Sequence, residues 1–320
     1  MIVIAKIRNL EIPEPLGDGF EIRDGCFLIN DSNRIAALFP AGSDAILGKQ
    51  FMTEMTNGPV IYCQIAHPDN YISVADPEDI LLTWLYDLST FFQAMWLVGD
   101  HAISAQLAFA IFKDPQKGIG STWNMGIGPT TADGLNPLSS CSVEALTLGR
   151  NFYSSLHHFT FNEQWGQPGS VDYKFGSKKG IPRILRFHDF LSSARHANDV
   201  AIKISLYMTC LEILFSTSAA ELVHKLSERV AYFLAETPSQ RKPIFQIIKR
   251  AYSIRSKVVH GDVLESSNKI QTASKEVDNL LRQLLLKILT DEKLEKTFQK
   301  PPEILEDYLT DLTLGVSNAS

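Results

Sequence analysis

Arg255 and His260 stand five residues apart near the end of the stretch Arg-Ala-Tyr-Ser-Ile-Arg-Ser-Lys-Val-Val-His-Gly-Asp, residues 250–262. The pair suits phosphate chemistry. An arginine is a fixed bidentate donor to phosphate oxygens, and a histidine can move protons near neutral pH. Five residues of α-helix turn through ~140°, so the two side chains do not share one face of a regular helix. They meet only if the last turn tightens or if a second copy of the helix supplies the missing half. Gly261 follows at once and suits the left-handed conformation that ends helices. The negative end of the helix dipole also favours an imidazolium at 260. The spacing alone is common in long chains, and a last-turn histidine is often only a cap.

Other chemistry-bearing residues give weaker signals. Gly118-Ile-Gly120 and Gly126-Ile-Gly128 lie in a Gly-rich stretch, but the phosphate-loop pattern with its Gly-Lys-Ser/Thr ending is absent. His157 and His158 are adjacent, so on a helix they point ~100° apart and rarely share a metal. His188, His196 and His224 have no acid or cysteine at ligand spacing. Cys26, Cys63, Cys141 and Cys210 are scattered and suit a reducing cytoplasm better than a disulfide scaffold. Neither a metal nor a cofactor is expected.

The elements that must position Arg255 and His260 are helical. From Arg183 onward apolar stripes recur at helical spacing. Asp199–Phe215 is apolar nearly all round and is expected to be the central buried helix. Glu221–Ala235 follows, then a turn framed by Pro238 and Pro243, then the helix ending at His260. Val277, Leu280, Leu281, Leu284, Leu285 and Ile288 mark a fourth stripe. Four such helices with short connections imply an up-down bundle over 171–300. Residues 301–320 read as an acidic C-terminal helix and tail, packed on the outside.

The front of the chain differs. Residues 1–75 read as β-rich, with runs at Ile2–Ile4, Glu21–Arg23, Cys26–Ile29 and Val60–Cys63 and a tight turn at Asp24-Gly25. Residues 76–170 read as a helical region with a Gly-rich loop. Asp76-Pro77-Glu78 opens a helix that runs towards Gly99 and resumes from His101 to Phe112. Ser142–Phe159 forms another helix, and 160–180 the linker. Residues 1–75 and 76–170 are expected to make one N-terminal domain, a candidate sensor or regulator of the part that follows. The fold class expected is therefore α+β, with a β-rich front, then helices, then an all-α bundle.

Charge and hydropathy narrow the partners. Residues 1–170 carry 8 Lys and Arg against 18 Asp and Glu, while 171–300 carry 22 against 14. The last twenty residues add four acids and no base. A basic back half suits a polyanion, though two opposite halves can also attract each other. Ile80–Val98 is apolar, but a central Asp87 would cost about 2.5–3.5 kcal/mol on insertion, so a buried core helix is expected and no membrane partner.

Three blocks together resemble a known family. Leu211-Glu212-Ile213-Leu214-Phe215, then Lys225-Leu226-Ser227-Glu228-Arg229-Val230-Ala231, then Tyr252-Ser-Ile-Arg255-Ser256-Lys257-Val-Val-His260-Gly261 are similar, in order and spacing, to the Apea-like branch of the HEPN superfamily. The likeness covers roughly residues 185–290 and leaves 1–170 unaddressed. It implies a four-helix bundle that pairs as a homodimer, bringing two Arg-x4-His motifs into one cleft. Many relatives are metal-independent endoribonucleases of toxin–antitoxin, abortive-infection and other antiphage systems, which would make an antitoxin or another defence protein a further partner. The chemistry expected is attack by a ribose 2′-hydroxyl on the adjacent phosphate. His260 transfers protons and Arg255 stabilises the phosphorane oxygens. Ser256, Glu212 and Tyr252 support the site, Glu212 either orienting Arg255 or bridging to Arg229. Lys249, Arg250 and Lys257 are expected to meet the RNA backbone. Many catalytic relatives have Asn, Asp or His after the arginine, where Ser256 stands. The alternative is thus an inactive HEPN module for RNA binding, dimerisation or scaffolding.

Overall fold

The computed structural model describes residues 1–65, 76–112, 118–124, 128–160, 182–217 and 222–316. The chain is α+β and divides into two compact units, Met1–Pro129 with Asn136–Phe175, and Thr130–Leu135 with Gly176–Ser320.

The first unit runs β1 (Ile2–Arg8), β2 (Leu10–Glu11), β3 (Phe20–Arg23), β4 (Cys26–Ile29), α1 (Ser32–Ala37), α2 (Ser43–Leu47), α3 (Lys49–Thr56), β5 (Val60–Gln64), α4 (Pro77–Val98), β6 (Ser104–Ile111), β7 (Ile119–Asn124), β8 (Ser139–Ser140) and α5 (Val143–Thr160). Six strands form an antiparallel sheet in the order β3-β4-β5-β1-β6-β7, and β2 pairs with β8. Asp24-Gly25 closes the β3–β4 hairpin, with Arg23 opposite Cys26. In β1, Ile4 lies opposite both Tyr62 and Phe109, and these pack with Ile35, Phe39 and Met55 from the α1–α3 segment. The alternate residues Val3, Ala5, Ile61, Cys63, Cys26 and Ala108 are buried as well. With both faces covered, these strands lose the apolar–polar alternation of a half-exposed sheet. Helix α4 packs along β6 with α5 beside it.

Two expectations for this unit need correction. The 1–75 region is mixed, because three helices of five to eight residues separate β4 from β5; such short segments carry too few turns to show a period. The helix expected from His101 to Phe112 is largely strand β6, and the expected loop beyond Asp114 contains β7. The Ala-rich Ser-Ala-Gln-Leu-Ala-Phe-Ala-Ile sequence favours helix locally, but pairing with β1 on one side and β7 on the other overrides it. The expected 160–180 linker falls almost wholly outside the described residues. Among the described residues no helix is long and apolar enough to cross a membrane.

The second unit holds α6 (Arg183–His196), α7 (Val200–Phe215), α8 (Leu222–Leu234), α9 (Pro238–His260), α10 (Ser267–Leu289), α11 (Glu292–Phe298) and α12 (Pro302–Leu314). Helix α7 packs against α6, α8, α9 and α10. Asp199 caps it, accepting from the Ala201 and Ile202 amides at 2.8 and 2.9 Å. Its Lys203 is fully buried. The ammonium reaches the Ala194 and Arg195 carbonyls at the end of α6, at 2.9 and 3.1 Å, and the Thr130 carbonyl at 3.5 Å. Tyr207 donates to Asp278 of α10 at 3.0 Å, and Arg282 pairs with the same carboxylate. Phe215, Phe233 and Phe298 meet edge to face at 5.2 to 5.5 Å between centroids, each pair adding about 0.5–1.5 kcal/mol beyond the area it buries.

Thr130–Leu135 is part of this unit. The Thr130 amide donates to the Arg195 carbonyl at 2.8 Å, Ser274 donates to the Ala132 carbonyl at 2.6 Å, and Asp133 pairs with Lys275 at 2.6 Å. Gly134 has φ +81°, and a Cβ there would meet Val200 at 2.9 Å. The expected turn between Pro238 and Pro243 is instead the start of α9, with Pro238 at its first position. Proline is welcome there because that amide has no helical partner, and Pro243 lies inside the helix on its exposed side.

The acidic C-terminal segment is more than a tail. Helix α12 buries Leu305 and Leu309 and packs on α8. Arg229 donates to the Phe215 carbonyl at 2.9 Å and pairs with Glu306, which also accepts from Thr217. Burial works against charge on Glu306, but Thr217 and Arg229 outweigh it and hold the carboxyl below its ordinary range. A carboxyl lowered by folding gives stability that is present above its unfolded value and lost as pH falls through the folded one. The unfolding midpoint of wild type should therefore exceed that of Glu306→Gln at neutral pH, and the gap should close in acid below ~pH 4. Parallel melting curves from pH 7 to 3 test this, and a gap that persists in acid would refute it.

Candidate functional site

The Arg255 site is built by two packed helices, α7 and α9. Helix α9 buries Ile248, Ala251 and Ile254, a spacing of three that fixes which residues face outward. Tyr252 and Arg255 flank this stripe, with the Arg255 guanidinium carbon 5.2 Å from the Tyr252 ring centroid. From α7, Glu212 faces the guanidinium. Nη1 lies 3.0 Å from Oε1, and Nη2 donates to Oε2 at 3.3 Å. Both side chains are only partly exposed, 26% and 18%. Burial pushes the Glu212 carboxyl up from its ordinary range, and Arg255 opposes that shift without cancelling it. Glu212 thus meets Arg255; the alternative bridge to Arg229 does not form, because Arg229 is taken by Glu306 and the Phe215 carbonyl.

His260 is the last residue of α9 and is exposed. The helix ends on Gly261 in the left-handed region, φ +74°, and the Gly261 and Asp262 amides close onto the Lys257 carbonyl. The helix stays α-helical through His260, so the tightened last turn is not formed. Arg255 and His260 remain on different faces, about 7.5 Å apart along the axis. Beside His260 in the chain, Val259 is 68% exposed, Val263 91% and Leu264 37%, with Asp262 exposed among them.

The remaining predicted residues are spread along α9. Ser256 and Lys257 are half-buried. Lys249 is exposed, with its ammonium 5.5 Å from the Phe245 ring centroid. Arg250 pairs with Glu276 of α10, so its guanidinium already has an anion. The histidines weighed as ligands are engaged locally. His188 faces Asp189 at 3.5 Å, His196 faces the Ser192 carbonyl at 2.8 Å, and His224 faces Glu228 at 3.5 Å. Among the described residues no group of His, Cys, Asp and Glu is arranged to hold a metal ion.

A second polar cluster escaped the sequence. Asp87, buried in α4, pairs with Arg23 of β3 at 2.7 Å, accepts from the Tyr153 hydroxyl of α5, and lies 3.4 Å from His157 Nε2. Burial and the Asp87 charge push the Tyr153 phenol far up, so it stays protonated and donates. Burial pulls His157 down, against the pull of Asp87. An acid in so apolar a helix was the available signal, since a buried carboxylate needs partners; spacing could not say which.

No family model matches the chain, and no curated protein or solved structure is similar to it at a significant level.

Proposed function

We propose that the protein is a metal-independent endoribonuclease of the HEPN type, acting through a site shared by two copies of its α7–α10 bundle, as toxins and antiphage abortive-infection proteins do. The observation that carries this is the end of α9. A regular helix keeps Arg255 and His260 apart, His260 is exposed, and the apolar residues beside it are what a second copy would bury. Two-fold pairing places the same patch of each subunit against the other, so two histidines and two arginines enter one cleft. RNA held there presents a 2′-hydroxyl to His260 and its phosphate to Arg255. The 2′-hydroxyl attacks phosphorus as His260 takes its proton, the P–O5′ bond breaks, the 5′-oxygen leaves with a proton from the second histidine of the cleft, and the guanidinium meets the charge that builds on phosphorus-bound oxygens. DNA lacks the nucleophile and is spared. Tyr252 and Glu212 hold Arg255 in place, while Lys249 and Lys257 meet phosphate. An antitoxin or other defence protein would restrain the activity in a cytoplasmic setting.

One observation favours the second reading, an inactive module that binds RNA or scaffolds an assembly. Glu212 already faces both terminal nitrogens of Arg255, which neutralises the charge that a phosphorane would need. Incubating the purified full chain with total cellular RNA in EDTA separates the two. Fragments ending in 2′,3′-cyclic phosphate establish the ribonuclease. Intact RNA bound by the protein supports the module instead.

A further inference from the structure

Cys26 of β4 and Cys63 of β5 lie directly opposite each other in the sheet. The neighbouring Gln64 amide donates to the Gly25 carbonyl at 3.0 Å, which makes Cys26–Cys63 a non-hydrogen-bonded pair of the antiparallel ladder. In such pairs the Cα atoms are about 4.5 Å apart and the side chains lean together. That separation lies within the range a disulfide spans without moving backbone. Both thiols are buried, free and on one face of the sheet. The Arg23 guanidinium that meets Asp87 acts on both, and its side chain is 38% exposed, so solvent reaches the edge of the cluster.

We propose that Cys26 and Cys63 are a peroxide-reactive dithiol that closes to a reversible disulfide across β4 and β5. The Arg23 guanidinium favours a thiolate at this pair; Cys63 takes the part of the nucleophile and Cys26 that of the resolving thiol. The Cys63 sulfur attacks one oxygen of a hydroperoxide, the S–O bond forms, the O–O bond breaks, and the leaving oxygen takes a proton to give water or an alcohol. Cys26 sulfur then attacks Cys63 sulfur, the S–S bond forms, and hydroxide leaves with the Cys26 proton as a second product, water. The dithiol gives up two electrons and the peroxide accepts them. Oxidation would tie β4 to β5 and enclose α1–α3 in a covalent loop.

The full chain treated with hydrogen peroxide, alkylated under denaturing conditions and mapped by mass spectrometry tests this without any substitution. The expected product is a Cys26–Cys63 cross-linked peptide, lighter by two hydrogens and restored by dithiothreitol. Cys26→Ser should stop the reaction at a Cys63 sulfenic acid that dimedone captures about tenfold or more faster than Cys141, although Cys141 is the more exposed and burial pushes its thiol up. In Cys63→Ser, Cys26 should stay an alkylatable thiol. Wild type that yields no cross-link, or dimedone labelling that follows exposure with Cys141 ahead of Cys63, would overturn the proposal.

Discussion

His260→Ala is expected to lower RNA cleavage by about 10²- to 10⁴-fold, the usual contribution of a general acid–base group, while leaving the unfolding midpoint close to that of wild type. The two halves of that expectation have separate causes. The side chain is exposed at the last turn of α9, and surface substitutions of this kind usually stay within about ±0.5 kcal/mol. The helix end is fixed by the Gly261 and Asp262 amides closing on the Lys257 carbonyl, and alanine disturbs neither. Arg255→Ala should abolish cleavage too, but at a structural cost, since it strands the half-buried Glu212 carboxylate. Product formation with end-group analysis, beside calorimetry of all three proteins, gives both readouts. Cleavage that survives in His260→Ala would remove His260 from the chemistry.

Lys203→Met is expected to destabilise the protein by about 2–4 kcal/mol, because three carbonyls lose a charged donor they cannot replace. Methionine keeps the length and apolar stem of lysine, so the change isolates the ammonium from the packing. Two effects compete. Removing a buried charge relieves its desolvation, while the Ala194, Arg195 and Thr130 carbonyls lose their charged donor in a fully buried place, Ala194 and Arg195 keeping the backbone amides of Ala197 and Thr130. The second effect dominates because the ammonium sits at the negative end of α6, where a cation is favoured anyway. The melting midpoint should fall by about 5–15 °C. Ile202→Met, at the adjacent and half-exposed position, serves as the comparison and should change little. Equal midpoints for the two variants would show that Lys203 is not needed.

Much of this architecture could be read from local chemistry. Asp76-Pro77 marked the start of α4, Asp24-Gly25 a tight turn that closes the β3–β4 hairpin, and the apolar circumference of 199–215 the central helix of its unit. What failed depended on partners remote in sequence. Strand β6 is Ala-rich and becomes a strand only because β1 and β7 flank it. Lys203 carries no signal in the sequence, and its role comes only from the end of α6 that meets it. At the site, spacing foretold that Arg255 and His260 would face apart, and that holds because α9 runs regularly to His260. It could not establish that Arg255, two helices on, rather than Arg229 on the next helix, is the partner of Glu212. The Cys26–Cys63 juxtaposition was equally hidden, because 30 residues and three helices separate the two strands in the chain.

The short stretch Thr130–Leu135 sets a limit on modularity. Six residues encoded ahead of β8 and α5 complete the helical unit that begins at Gly176. A recombination event or engineered breakpoint near residue 175 would separate Ser274 and Lys275 from Ala132 and Asp133, and Lys203 from the Thr130 carbonyl. The helical unit cannot be passed between proteins as one uninterrupted cassette. A transplant that keeps it intact must carry the 136–175 sequence along or splice Thr130–Leu135 to the front of α6 by a short artificial joint.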